Sequence, residues 1–174
     1  MIVGLSVLTF TIIHVLISLV AIASGLVIVF GMIGSHRLPK TTALFWVMTV
    51  LTTVTGFMFF LSPTQAKMFT PATATGVVAT IVFAFGLIAL YGKHLYGAWR
   101  WIYVVSAMIS LYLNVFVLIV QSFGKLKIIN PAASFDPPFG PPFAPPTDFH
   151  FAVAQGAALV IFVMLGIIGV IKFR

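Results

Sequence analysis

The sequence predicts an all-α fold, a polytopic membrane bundle of five transmembrane helices. Of its 174 residues, 61% are hydrophobic and only 6% are charged, whereas a soluble domain has about 25% charged residues. The apolar residues fall into five long runs that polar turns separate, without the alternation of a membrane β-barrel. In hydrocarbon, a helix satisfies its backbone hydrogen bonds within one segment, which favours five helices.

The five apolar runs form one predicted transmembrane domain, residues 1–174. The first run is longer than the apolar core of a signal peptide, and its basic residues follow it, so we expect it to be retained. Turns rich in Pro, Gly and basic residues end the successive runs. The helices are expected at about residues 4–34, 42–61, 74–91, 98–123 and 149–171.

The distribution of Lys and Arg predicts the orientation, with the N-terminus outside and the C-terminus cytoplasmic. In this topology six cations are cytoplasmic and three are outside, as the positive-inside rule requires. The cytoplasmic six are Arg37, Lys40, Lys93, Arg100, Lys172 and Arg174, and the outer three are Lys67, Lys125 and Lys127. Because they are scattered singly, the net charge of +7 indicates contact with lipid head groups of the bilayer and no nucleic acid.

The predicted outer loop, residues 124–148, is rich in Pro and Phe. Its three Pro-Pro pairs alternate with Phe, for example in Pro137-Pro138-Phe139. Proline fixes φ and removes a hydrogen-bond donor, so we expect an extended, polyproline-II-like strap. The strap is either a stiff connector across the mouth of the bundle, or a lid or docking segment for a partner.

Five polar residues are predicted in the outer half of the bundle, with His14, Thr52 and Asn114 at about the same depth and Gln121 and Gln155 shallower. Asn114 lies nine residues from the outer end of its helix, which is roughly 13 Å deep at the helical rise. Polar groups inside a bilayer usually face the bundle interior. These residues therefore form either one polar binding site or hydrogen bonds that hold the helices together.

The four histidines limit the possible haem sites. His14 and His150 are both predicted in the outer half and are the candidate ligands of a haem iron, with His14 the leading one. His36 and His94 fall in cytoplasmic turns, where we expect ordinary interface residues. A second haem would require His36 and His94 as the ligands of its iron.

A cluster of aromatic residues with a cation marks the start of the fourth helix. Trp99, Arg100 and Trp101 are typical of an interfacial anchor. The same residues are candidates for contact with a lipid or quinone head group.

The sequence lacks the residues that several kinds of catalysis and binding require. The chain has no cysteine, phosphate-binding glycine loop or paired metal-binding histidines. Its two acids, Asp136 and Asp148, are both in the outer loop, so no carboxylate is predicted within the membrane. We therefore expect no independent catalytic activity.

Three motifs together carry a family resemblance that spans most of the helical region. They are LTTVTGF at residues 51–57, GAWRWIY at 97–103, and LYLNVFV at 111–117 followed by Gln121. The pattern resembles a group of small, uncharacterised, polytopic proteins of the bacterial inner membrane. The resemblance implies a multi-pass protein of that membrane and implies no activity.

Three functions fit this sequence. The first is a redox-linked electron-transfer subunit that binds haem b or a quinone, with His14 as leading ligand and Asn114 and Gln121 in support. The second is a structural accessory or assembly subunit of a larger membrane complex, docked through the Pro/Phe strap. The third is a homo-oligomeric channel or carrier for a small solute.

Overall fold

The computed structural model describes residues 2–59, 71–125 and 149–173, and within these ranges the chain is helical. All five helices are long and apolar enough to span a membrane, which confirms the predicted all-α architecture for the described residues. Residues 60–70, and residues 126–148 of the predicted Pro/Phe-rich loop, lie outside these ranges. The helices are α1 (Val7–Ile33), α2 (Pro39–Met58), α3 (Pro71–Leu87), α4 (Trp99–Lys125) and α5 (Phe149–Lys172).

Local sequence signals account for two of the helix starts. The Ser6 hydroxyl caps α1 by accepting a hydrogen bond from the Thr9 amide at 3.1 Å. Helix α2 begins at Pro39, three residues before the predicted start at Thr42. Proline is suited to the first position of a helix because the amide that it lacks would have no helical partner there. Helix α3 ends in a wide π-helical turn, Ile88–Gly92.

Helices α1 to α4 form a ring, and α5 packs outside it. Helix α2 packs on α1 and α3, while α4 packs on α3, α1 and α5. Helices α2 and α4 therefore stand diagonally opposite each other, and their facing sides line the axis of the ring. Both run in the same direction, from the end that carries the α1–α2 and α3–α4 turns. We call this the basic end, because Arg37, Lys40, Lys93, Arg100 and Lys172 lie there.

Two glycines let the helices approach closely around an apolar plug on the axis. A Cβ atom added to Gly25 of α1 would lie 2.6 Å from Leu111 Cδ1 and 2.9 Å from Phe45 Cε2. One added to Gly86 of α3 would lie 2.4 Å from Trp46 Cη2. Phe45, Trp46 and Leu111 are almost completely buried, and they form the axial plug. Small residues at such contacts are how membrane helices reach close packing.

Close packing at Gly86 predicts that Gly86→Ala destabilises the bundle. The added methyl group would displace the Trp46 ring, and overpacking of this kind costs about 1–3 kcal/mol. The matched control is Gly156→Ala on α5, where an added Cβ meets nothing within 4 Å and alanine adds helix propensity. Thermal unfolding in detergent measures both. Equal midpoints for the two variants would contradict the packing described here.

Candidate functional site

A cavity of about 220 Å³ opens at the basic end, and residues from all the local turns line it. Its polar lining combines two imidazoles, a guanidinium, two phenols and a hydroxyl. Among the described residues that line it there is no Asp or Glu, so the site presents hydrogen-bond donors and positive charge. The lining residues are Ile28, Met32, His36, Arg37, Leu38, Pro39, Thr42, Leu90, Tyr91, His94, Leu95, Tyr103 and Phe173. We call it the basic-end cavity.

The C-terminal cap of α1 positions His36. The His36 amide donates to Gly31 O at 2.8 Å, and the Ser35 amide donates to Met32 O at 3.1 Å, which together form a Schellman motif. Ser35 takes the left-handed position of this motif with φ of 58°. The lack of a side chain at Gly34 makes room for the imidazole, because a Cβ there would lie 2.8 Å from His36 Nδ1.

The turn after α3 positions His94. The Lys93 amide donates to Ile88 O at 2.8 Å, and the Leu95 amide donates to Ala89 O at 2.9 Å, so the chain leaves the helix through the π-helical turn. His94 and Leu95 have φ of 49° and 61°, in the left-handed region that costs a non-glycine residue about 1–3 kcal/mol. Strained residues and π-helical turns occur preferentially at functional sites.

The C-terminal end of α5 forms part of the cavity wall, beside the two turns. Phe173 is buried, and its ring centroid lies 5.8 Å from that of Tyr103. The Ser35 hydroxyl donates to Lys172 O at 3.0 Å, which ties α5 to the cap of α1. The cavity wall is therefore assembled from helix ends that are far apart in the sequence.

The predicted head-group residues lie beside this cavity and do not line it. Arg100 and Trp101 are exposed. Trp99 is half-buried, and Lys93 Nζ lies 5.7 Å from the centroid of its ring, at a cation–π distance. This arrangement fits an interfacial anchor of the end of the bundle.

The predicted outer-half residues are distributed over two different helix interfaces. His14 lies between α1 and α2, where its Nδ1 is 2.7 Å from Thr55 Oγ1 and its ring meets Phe59 edge-on. The Thr52 hydroxyl instead donates to Met48 O of its own helix at 2.8 Å. Gln155 lies between α5 and α4, where its Nε2 donates to Phe116 O at 3.1 Å.

The other predicted residues at this opposite end are Asn114, Gln121 and His150. Asn114 and Gln121 are half-buried on α4, and each has a buried side-chain atom without a hydrogen-bond partner. His150 is exposed at the start of α5, beside the Phe149 ring. Within the described residues, no group of three or more His, Cys, Asp or Glu side chains could hold a metal ion. Ligation of a haem iron by His14 and His150 stays a prediction.

Sequence reasoning missed the basic-end cavity. His36 and His94 were expected to be ordinary interface residues, whereas both line this one cavity together with Arg37 and Tyr103. Their common membrane level was visible in the sequence. The backbone path of each turn could not be predicted, because helical periodicity does not indicate which residues adopt a left-handed backbone conformation.

Comparison with family models, with curated proteins and with solved structures finds no match for this chain. The resemblance to small bacterial inner-membrane proteins therefore stays a prediction.

The left-handed backbone at His94 predicts an unusual response to glycine. We expect His94→Gly to be more stable than His94→Ala by about 1–2 kcal/mol, because glycine adopts this conformation without steric cost. The control is Ala152→Gly at an exposed position inside α5, where glycine should instead lower stability by roughly 1 kcal/mol. Thermal unfolding in detergent measures the three variants. If glycine were the less stable residue at both positions, the described turn would be wrong.

Proposed function

We propose that this chain is a multi-pass membrane subunit that binds a quinone, with the head group in the basic-end cavity. The observation that carries the proposal is the composition of the cavity wall. His36, Arg37, His94 and Tyr103 all face one small cavity with apolar side chains between them, and their side chains supply hydrogen-bond donors without a competing carboxylate.

Quinone chemistry matches this wall. A quinone head group is a flat ring whose carbonyl oxygens accept hydrogen bonds, and imidazole N–H, phenol O–H and guanidinium N–H groups all donate. Apolar residues such as Met32, Leu90 and Phe173 supply surfaces for the two faces of the ring. Binding sites with a mostly apolar lining and a few convergent polar groups are typical of cofactors.

The size of the cavity favours a quinone over haem b. Its volume of about 220 Å³ is below the roughly 300–1,000 Å³ of sites that enclose a whole drug-sized ligand. It suits a single-ring head group whose long apolar tail stays among the lipid chains. A porphyrin macrocycle requires a larger space.

The charge distribution supports an orientation for this subunit. The basic end carries the cations of both described turns and of the end of α5, so the positive-inside rule places it in the cytoplasm. The C-terminus is then cytoplasmic and the N-terminus is outside, in the inner membrane of a bacterium if the family resemblance holds. In this proposal the chain binds and orients the quinone, and a larger membrane complex supplies the electrons.

Quinone binding should depend on the donors of the cavity. We expect a short-tailed benzoquinone to quench tryptophan fluorescence saturably in neutral-lipid nanodiscs, because Trp46 lies against Tyr103, with ring centroids 6.3 Å apart. Tyr103→Phe and His36→Ala each remove one hydrogen bond, worth about 0.5–1.5 kcal/mol, and should weaken binding about two- to tenfold.

Two matched controls accompany these variants. Tyr112→Phe removes a phenol that packs on Phe162 away from the cavity, and His150→Ala removes an imidazole at the opposite end, so both should bind like the unaltered protein. Equal affinities for all four variants would contradict the proposal. Displacement of the quinone by a few per cent of anionic phospholipid would assign the cavity to a lipid head group instead. A Soret band in the same preparation that is lost in His14→Ala would support haem b.

A further inference from the structure

A second group of polar side chains lies inside the ring of helices, beginning at the level of the axial plug and extending away from the basic-end cavity. Thr49 is on α2, and Ser110, Asn114 and Gln121 are on α4. We call these four residues the axial polar cluster. Thr49 and Ser110 are each only 2% exposed. Among the residues that the structure describes, none hydrogen-bonds to Thr49 Oγ1, Ser110 Oγ, Asn114 Nδ2 or Gln121 Oε1.

Helix geometry places these atoms toward the axis. Trp46 of α2 and Ser106 of α4 both reach Gly86, within 2.4 and 3.2 Å of a Cβ added there, so they lie at one level. Thr49 lies one turn beyond Trp46, and Ser110 lies one turn beyond Ser106 in the same direction. Asn114 and Gln121 follow Ser110 at spacings of four and eleven residues, which keeps them on one side of α4.

Neighbouring hydroxyls, unlike those of Thr49 and Ser110, have hydrogen-bond partners within their own helices. Thr52 and Thr53 donate to the carbonyls of Met48 and Thr49 in their own helix, at 2.8 and 3.0 Å. Ser24 of α1 does the same with Val20 O at 2.7 Å. This local bond is the ordinary solution for a hydroxyl in an apolar helix. The Thr49 and Ser110 hydroxyls do not make this bond to their own helices.

The hydrogen-bonding capacity of the four atoms identifies the ligand that they fit. Asn114 Nδ2 only donates, Gln121 Oε1 only accepts, and the hydroxyls of Thr49 and Ser110 do both. Gln121 lies eleven residues, or about 16 Å, from Ser110 along α4, so the ligand must consist of several small molecules. Each must accept and donate hydrogen bonds, and each must be neutral because no charged side chain belongs to the cluster. Water has these properties, and buried waters typically bridge about three such groups.

We propose that the axial polar cluster is an internal water-binding site, in which ordered water bridges α2 to α4 across the axis of the ring. The bridge satisfies buried polar atoms that would otherwise cost the bundle their full desolvation. It also joins two helices that stand diagonally apart. This site is separate from the proposed quinone site, because none of its four residues lines the basic-end cavity.

Solid-state NMR on the unaltered protein in bilayers tests the proposal directly. The chain has two asparagines, Asn114 and Asn130, so ¹⁵N-asparagine labelling gives two side-chain amide signals, and Asn114→Leu assigns one of them. We expect magnetisation to transfer from water to the Asn114 side-chain amide. An Asn114 amide that receives magnetisation only from protein and lipid protons would overturn the proposal.

A double-mutant cycle provides a second, independent test. If one water network serves both hydroxyls, Thr49→Val and Ser110→Ala should each lower the thermal midpoint, and the double variant should lose less than the sum of the two shifts. The control pair is Thr53→Val with Ser110→Ala, whose shifts should add because Thr53 bonds its own helix. A raised midpoint in both cluster variants would mean that the hydroxyls are unsatisfied, and would overturn the water site.

Discussion

A polar side chain within an apolar bundle must find its hydrogen-bond partners inside the protein, and this constraint organises the whole molecule. Lipid offers no donors or acceptors, so each polar group either bonds its own helix, bonds another helix, or shares a ligand with its neighbours. The Thr52 hydroxyl bonds its own helix, whereas His14 of α1 bonds Thr55 of α2. In the axial polar cluster, neither of the first two solutions accounts for Thr49 Oγ1, Ser110 Oγ, Asn114 Nδ2 or Gln121 Oε1.

The axial plug lies between the basic-end cavity and the two most distant residues of the axial polar cluster, Asn114 and Gln121. Gly25 and Gly86 bring α1 and α3 close enough to enclose Phe45, Trp46 and Leu111, so the middle of the ring is packed and apolar. Apart from contacts between helices such as those of His14 and Gln155, the polar groups discussed above gather in the basic-end cavity and in the axial polar cluster. The quinone proposed for the first and the water proposed for the second are both compatible with this packing.

Helical periodicity and the scarcity of charge were sufficient to predict five helices, because both are properties of a regular helix in lipid. They were insufficient to predict contacts that depend on how far a helix is rotated about its own axis or on the backbone path of a turn. Thr55, and not Thr52, meets His14, since the rotation of α2 about its axis is set by Phe45 and Trp46 packing against other helices. His36 and His94 share a cavity because Ser35, His94 and Leu95 adopt left-handed backbone conformations, which no pattern of hydrophobicity records.

The proposed position of the quinone head group is the basic-end cavity, and not the region around the histidine within α1. Photo-cross-linking of a quinone that carries a photoreactive group on its ring, followed by peptide mass spectrometry, locates the head group directly. A head group in the basic-end cavity should give saturable labelling at residues 28–39 and 90–103, and excess unlabelled quinone should compete with this labelling. Labelling centred on His14 and Thr55, or labelling that never saturates, would contradict it.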